Sequence, residues 1–339
     1  QLLADVHANL PTLHRYLRLR QRLMKVDKLR YEDLYAPIVQ GKSPEYTPEQ
    51  AMELTLQATA PLGADYQKLL KQAYKDRWVD FLPSTGKRSG AYSDGSGYDV
   101  HPYQLLNFNG AYEDVSTLAH ESGHSLHSYF SNTKQPYGLH NYSIFVAEVA
   151  STLNENLLLH SMLANAKDNR LKLFLLGSYL ENMRGTLFRQ ALLAEFQLRI
   201  HEMAEKGESL TGDNMNALYL KLLREYYGHD KGVCQIDELY GVEWAYIPHF
   251  YYNFYVYQYA TSQVASTSIA GAILAEEASG KGTHVARDAY LNMLASGSSD
   301  YPVNLLKKAG VDMTSSAPFN AAMKEMNRIM DEIEALEKH

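Results

Sequence analysis

The sequence predicts a mainly α-helical fold with one small β-sheet, and three observations support this prediction. Residues 10–26, 48–58 and 65–78 carry apolar side chains at helical spacing, as do several segments of the C-terminal third. Residues 83–110 change in composition to Gly, Ser, Tyr and Asp, which ends the helical periodicity. Residues 98–109 then alternate in a way that indicates short strands. With 339 residues and 45% hydrophobic content, the chain can bury the core of one large domain or of two lobes.

Composition and charge exclude several classes of partner. The net charge of −7 leaves no basic surface of the kind that nucleic acids require, so we expect no nucleic-acid partner. No apolar run reaches the roughly 18 residues that a membrane-spanning helix needs, and no secretory signal is visible. The only cysteine, Cys234, cannot form an intramolecular disulfide. These features favour a cytoplasmic protein without membrane contact.

The most informative stretch of the chain is residues 118–127, because it contains the pattern H-E-x-x-H. His120 and His124 are four residues apart, and Glu121 directly follows the first histidine. On a helix, residues four apart share one face, so two imidazole nitrogens can approach one ion. A catalytic zinc ion takes three protein ligands and keeps one position for water. The motif therefore predicts that His120 and His124 bind zinc and that Glu121 lies beside the bound water.

The residues around this motif favour a helix. Asp114 or Ser116 can serve as its N-cap. An apolar stripe comprises Val115, Leu118 and Leu126. Gly123 costs a helix about 1 kcal/mol relative to alanine. We therefore expect another segment, or the substrate, to approach the helix closely at Gly123.

A third metal ligand is predicted at Glu148, which follows His124 by 24 residues. Residues 131–142 are rich in Asn, Pro and Gly and can connect two helices that pack against each other. Glu148 lies in an otherwise apolar run, and a buried carboxylate is costly unless it is paired or bound to a metal. A solvent-facing glutamate on an amphipathic helix is the less favoured alternative.

Two further residues near the predicted ligands need an interpretation. His127 lies nearly on the same face as His120, but two helical turns of about 5.4 Å each separate them. Because one ion cannot bridge that distance, we interpret His127 as a supporting or packing residue. Glu155 follows Glu148 by seven residues and can orient a ligating imidazole through its second nitrogen. A free surface glutamate is the alternative for Glu155.

These stretches resemble the thimet oligopeptidase and oligoendopeptidase F family of zinc peptidases, and most closely its oligoendopeptidase F branch. The resemblance rests on the motif at 120–124 and on residues 86–92, 101–109, 145–155 and 247–260. It implies a zincin-type helical catalytic domain in which His120, His124 and Glu148 bind one Zn²⁺ and Glu121 is the general base. Ser122 departs from the family, since many members carry a larger apolar residue there.

The predicted sheet has a second implication in zinc peptidases, where such a sheet precedes the motif helix. Its exposed edge can pair with an extended peptide by strand addition. We expect residues 105–109 to lie near that edge, beside the active-site cleft. An ordinary surface hairpin is an equally acceptable interpretation of the sequence alone.

Residues 228–260 contain His249 and a series of tyrosines. Helical spacing would place Tyr252, Tyr255 and Tyr259 on one face, and such faces usually belong to an amphipathic core. The resemblance implies instead that His249, Tyr252 and Tyr259 stabilise the oxyanion formed during peptide hydrolysis. Tyr255 is the alternative to Tyr252, because the spacing here is shorter than in the thimet branch.

The domain prediction is one catalytic zinc peptidase domain over residues 1–339. Its functional parts are a β element at 83–110, metal-binding helices at 111–165 and the His/Tyr loop and helix at 228–260. Since the chain begins with Gln rather than Met, we expect it to be the C-terminal part of a longer chain. The resemblance implies that a further N-terminal region of the same protein would be its partner and would form the other wall of the cleft.

Together these features predict a zinc endopeptidase that hydrolyses short oligopeptides, with Glu121 assisting the attack of a metal-bound water. A zinc carboxypeptidase or dipeptidase of helical fold is an alternative, since it can use the same ligands. A non-catalytic helical peptide-binding module is a third, less favoured hypothesis.

Overall fold

A computed structural model describes residues 1–38 and 44–337. The described residues are mainly α-helical with one small sheet, which confirms the predicted fold class. Within them, the α-helices are α1 Leu2–Ala8, α2 Leu10–Met24, α3 Pro48–Ala58, α4 Ala64–Lys75, α5 Tyr112–Lys134, α6 Ile144–Asn165, α7 Asn169–Met183, α8 Gln190–Glu205, α9 Gly212–Tyr226, α10 Tyr257–Ser279, α11 Val285–Leu294, α12 Pro302–Lys308 and α13 Ala317–Leu336. None of these helices combines the length and apolar character needed to cross a bilayer.

The chain forms two compact units. The first unit comprises Gln1–Gln40, Asp168–Thr261 and Phe319–His339, and the second comprises Gly41–Lys167 and Ser262–Pro318. The sheet, α5 and α6 belong to the second unit. One catalytic domain over residues 1–339 stays a prediction, because the compactness of each unit does not test a shared activity.

The second unit is built around an apolar core beneath α5 and α6. Leu126 of α5, Leu153 of α6 and Ile269 of α10 are buried in this core. Val115 and Leu118 of α5 are fully buried as well, so the predicted apolar stripe of the motif helix is confirmed. This core holds α5 and α6 against each other.

The sheet consists, within the described residues, of β1 Val79–Asp80, β2 Tyr92–Asp94 and β3 Tyr103–Leu105. The strand order is β1-β3-β2, with β3 parallel to β1 and antiparallel to β2. Leu105 pairs with both Asp80 and Tyr92, so β3 is the central strand. Our expectation that residues 105–109 lie near the exposed edge is therefore wrong. β2 is an outer strand of the sheet, and its Ser93 contacts Ser125 of α5.

The start of α5 differs from the prediction. Ala111 is the N-cap residue, and the helix begins at Tyr112. Asp114 is already the third helical residue, and its carboxylate accepts hydrogen bonds from the backbone N–H groups of Ala111 at 2.9 Å and Asn109 at 3.0 Å. The prediction of Asp114 or Ser116 as N-cap is wrong by one turn, because the carboxylate reaches back to the preceding backbone instead.

The first unit contains a buried polar cluster around Glu243. Its carboxylate forms an ion pair with Arg189 at 2.6 Å and accepts hydrogen bonds from the hydroxyl groups of Tyr31 at 3.0 Å and Tyr219 at 2.9 Å. The full set of partners satisfies a charge that would otherwise be costly to bury. The cluster fixes the 3₁₀ segment Glu238–Tyr246, which precedes His249 and the tyrosines that follow it.

Candidate metal centre

The two histidines of the motif lie on one face of α5, as their spacing predicts. Their ring centroids are 4.9 Å apart. Glu148 projects from α6, and its Oε2 atom lies 3.3 Å from Nε2 of His120 and 3.3 Å from Nε2 of His124. One nitrogen from each ring and this oxygen all lie within 4.8 Å of one another. The structure thus brings together the three side chains that the sequence nominates as ligands.

This geometry fits a zinc ion. Two atoms bound to one tetrahedral zinc at about 2.1 Å lie about 3.4 Å apart, close to the 3.3 Å between Glu148 and each histidine. Two neutral imidazoles and one carboxylate are a zinc donor set that leaves one position free. Oε2 of Glu121 is also buried without a hydrogen-bond partner among the described residues. A water at the free position would give this oxygen a partner.

The electrostatics keep Glu148 ionised, as metal ligation requires. Burial by itself would raise the pKa of this carboxyl, but hydrogen bonds and charge from His120 and His124 hold the pKa well below its usual value. Burial would likewise lower the pKa of His120, yet Glu148 and Glu155 raise it well above the usual value. Since only the neutral imidazole ligates, a proton and a metal ion compete for His120.

Glu121 has a different environment, although it neighbours both histidines. It is buried, and burial raises its pKa against the opposing effect of His120 and His124. A carboxyl whose pKa is raised toward neutrality is a better proton acceptor and donor at physiological pH. The side chain can therefore serve as a general base that later acts as an acid.

Glu155 contacts His120 at the ring nitrogen that does not face Glu148. Its Oε1 atom forms a short hydrogen bond with Nδ1 of His120. This contact leaves Nε2 of His120 directed toward Glu148, and it determines which ring nitrogen carries the proton. The structure therefore matches the predicted orienting contact and not the alternative of a free surface glutamate.

Two side chains of α6 that the sequence analysis did not identify also support the cluster. Ser151 donates from Oγ to Oε2 of Glu148 at 2.9 Å. Asn154 donates from Nδ2 to the backbone carbonyl of Ala119 at 3.0 Å. Both are fully buried polar residues on the helix that carries Glu148. That combination, at helical spacing from Glu148, is the sequence signal that could have identified them.

His127 does not take part in the ligand cluster. Its ring is fully buried and stacks on Tyr142 with a centroid distance of 3.6 Å. Neither ring nitrogen has a hydrogen-bond partner among the described residues. The packing interpretation made from the helical rise therefore agrees with the structure.

The sheet lies directly against the motif helix. The hydroxyl of Ser93 on β2 is 2.7 Å from that of Ser125, the residue after His124. Gln104 on β3 donates to the same Ser125 hydroxyl at 2.9 Å. Within the described part of the chain, β2 pairs with β3 on one side only. The other edge of β2 therefore has no strand partner among these residues.

The His/Tyr segment belongs to the first unit and has a well-defined local arrangement. His249 stacks against Tyr255, with centroids 5.7 Å apart, and the hydroxyl groups of Tyr255 and Tyr259 are 2.8 Å apart. Because α10 begins at Tyr257, Tyr252 and Tyr255 precede the helix, and the predicted helical face of three tyrosines is wrong. Tyr252 is 66% exposed. The catalytic roles of His249, Tyr252 and Tyr259 stay predictions.

The helical fold and the His–His–Glu cluster of the second unit are typical of a metallopeptidase. Comparison with known proteins agrees, since residues 2–325 match peptidase family M3. The chain belongs to peptidase family M3.

Several relatives place the chain within this family. It is 45% identical over 335 residues to oligopeptidase PepF of Bacillus subtilis, covering 99% of this chain and 48% of the relative. It is 42% identical to group B oligopeptidase PepB of Streptococcus agalactiae, covering 99% of this chain and 54% of the relative. The crystal structure of oligoendopeptidase-F from Enterococcus faecium superimposes with a TM-score of 0.73 at 35% identity, over 99% of this chain and 52% of that one. The chain thus spans about half the length of these relatives.

Proposed function

We propose that this chain carries the catalytic centre of a zinc-dependent endopeptidase that hydrolyses peptide bonds in short oligopeptides. The observation that carries the proposal is the position of Glu148 Oε2, 3.3 Å from both histidine nitrogens. Membership of peptidase family M3 and the oligopeptidase names of the relatives support a peptide substrate.

His120, His124 and Glu148 would hold the ion, and Glu155 would keep the His120 ring in its ligating orientation. A zinc ion bound there would supply Lewis-acid polarisation of the scissile carbonyl and lower the pKa of a water molecule. Zinc is expected from the donor set, although metal availability also decides which ion is loaded.

Glu121 would move the protons of the reaction. As a carboxylate it removes a proton from the attacking water, and as a carboxylic acid it passes that proton to the departing amine. Burial raises the pKa of Glu121, which favours this exchange near neutral pH.

The peptide would be held in extended form along the free edge of β2. Strand addition there uses main-chain hydrogen bonds and so accepts many sequences, as a general oligopeptidase requires. The family resemblance implies that the oxyanion of the tetrahedral intermediate accepts hydrogen bonds from His249, Tyr252 and Tyr259, and we propose the same role here. Removal of one such donor typically lowers kcat by about 10²–10³-fold.

A zinc carboxypeptidase or dipeptidase remains the alternative enzyme, and a non-catalytic peptide-binding module is the alternative without chemistry. An N-terminal region of the same protein is the partner we propose, since the relatives are about twice as long as this chain. We propose neither a nucleic-acid nor a membrane partner, and the cytoplasmic location stays a prediction.

Metal analysis combined with a peptide assay tests the function. We expect one zinc ion per chain. The same is expected of a longer chain that includes the proposed N-terminal region. Chelation should abolish cleavage of a quenched peptide, and added zinc should restore it. Internal cleavage of a peptide blocked at both ends supports the endopeptidase, whereas removal of C-terminal residues from an unblocked peptide alone supports the exopeptidase. If the protein contains no bound zinc and the chelator does not change the result of the peptide assay, the non-catalytic module is supported.

Substitution of the base gives a second test. Glu121→Gln should bind zinc as wild type does and lose at least about 10²-fold in kcat, in line with the usual contribution of general acid–base catalysis. Glu113→Gln, an exposed position on the same helix, is the matched control and should retain activity. Cleavage by Glu121→Gln at the wild-type rate would show that the base assignment is wrong.

A further inference from the structure

Ser151 occupies a special position relative to the candidate ligand Glu148. It lies one helical turn further along α6 and is fully buried. Its Oγ atom is 2.9 Å from Oε2 of Glu148, the oxygen that faces the nitrogens of both histidines. The hydroxyl therefore contacts the ligating oxygen and not the other carboxylate oxygen.

The backbone carbonyl of Glu148 competes for the same hydroxyl, at 3.0 Å from Oγ of Ser151. This carbonyl already accepts the Oγ1 hydroxyl of Thr152 at 2.5 Å, in addition to its place in the helical hydrogen-bond ladder. A hydrogen bond to an ionised carboxylate is roughly twice as strong as one between neutral groups. The Ser151 hydroxyl therefore donates its hydrogen bond to the carboxylate of Glu148 and not to the backbone carbonyl.

From these contacts we infer that Ser151 is a positioning residue that holds Glu148 for ligation through a single oxygen. The inference rests on the proposed zinc site. A carboxylate has about four lone-pair directions on its two oxygens. When Ser151 occupies one direction on Oε2 and the ion faces another, rotation of the carboxyl group is prevented.

This restraint has a consequence for the free position of the metal centre. A carboxylate that rotates can offer both oxygens to one ion. In a three-residue site, the second oxygen would take the position that water needs. Ser151 would thus maintain both the affinity for the ion and the open position.

The test compares Ser151→Ala with Thr152→Val. The first removes the hydroxyl that contacts the carboxylate, and alanine has the highest helix propensity, so the fold should persist. The second removes a neighbouring buried hydroxyl whose contact is with the backbone carbonyl alone and keeps the side-chain shape. Zinc affinity of each metal-free protein is measured by competition with a chelator of known affinity, and thermal unfolding without metal reports the fold.

The loss of an orienting contact typically costs 10–100-fold in metal affinity. Ser151→Ala should show a loss of about this size with little change in unfolding without metal, whereas Thr152→Val should bind zinc as wild type does. Substitution with Co²⁺ gives a second readout, because the visible absorption of this ion depends on its coordination number. Ser151→Ala should shift the spectrum toward higher coordination, and Thr152→Val should not.

Equal affinities for wild type and Ser151→Ala, or equal losses in both variants, would overturn the inference. Zinc binding by the wild type would stand in that case, so the proposed function would survive. If the wild type itself bound no zinc, the proposed function and this inference would fail together.

Discussion

A Cβ atom on Gly123 would lie 2.5 Å from the backbone oxygen of Ala150, so α5 and α6 are in backbone contact at the centre of the motif. This close approach is the reason for a glycine that by itself weakens the helix. It also sets the distance between the helix that carries His120 and His124 and the helix that carries Glu148. Helix spacing and ligand spacing are therefore determined by the same contact.

The first prediction follows from this contact. Gly123→Ala should push α6 away from α5, weaken zinc binding and lower the free energy of unfolding by about 1–3 kcal/mol, as overpacking usually does. Denaturant unfolding without metal and a zinc competition assay measure the two effects.

Gly271→Ala is the matched control, because Gly271 lies in α10, where an added Cβ atom would meet no described atom within 4 Å apart from the adjoining backbone of its own helix. There alanine should raise the free energy of unfolding by about 1 kcal/mol. Equal effects of the two substitutions would show that the contact with Ala150 does not limit residue 123.

The second prediction concerns the contact between Glu155 and His120. Glu148 and Glu155 together raise the pKa of the His120 imidazole, and Glu155→Gln removes the second of these charges and weakens the orientation of the ring. We expect zinc affinity to fall by about 10–100-fold, with kcat at saturating zinc reduced less. Glu113→Gln serves again as the control. An unchanged zinc affinity would show that the contact between Glu155 and His120 has no role in metal binding.

The third prediction separates catalysis from substrate binding in the His/Tyr segment. Tyr259→Phe should lower kcat by about 10²–10³-fold and change KM little, because a donor to an oxyanion acts in the transition state. Tyr251→Phe is the control, since Tyr251 is 91% exposed. Steady-state kinetics on one quenched peptide measure kcat and KM for both variants. A raised KM at constant kcat would show that Tyr259 acts in substrate binding.

The fourth prediction concerns pH and His127. Burial, with a smaller effect of His124, lowers the pKa of His127 to about 3 from the usual 6.5. Between these two values only the unfolded chain binds the proton, so stability is full above pH 6.5 and falls as the pH decreases. The loss attributable to this group is about 1.4 kcal/mol per pH unit below 6.5.

His127→Phe removes this titration while keeping a ring that can stack on Tyr142. The free energy of unfolding without metal, measured from pH 7.5 to 5.0, should therefore fall less steeply for the variant than for the wild type. A constant difference caused by the larger ring would not affect the comparison of slopes. Parallel curves would mean that His127 is protonated in the folded protein.

The sequence alone was sufficient to predict the main helices, the H-E-x-x-H motif and the three candidate ligands, because periodicity and spacing along each helix are local properties. His120 and His124 share a face because of helical geometry, and Glu148 could be identified because an apolar helix rarely buries an unpaired carboxylate.

Only the tertiary structure decided which groups meet across elements. The central place of β3 in the sheet depends on hydrogen bonds to both β1 and β2, and strand order is not encoded in local alternation. The contacts of Ser151 with Glu148 and of Gly123 with Ala150 depend on side-chain rotamers and on helix packing. Such contacts follow from the global balance of packing, which no local pattern specifies.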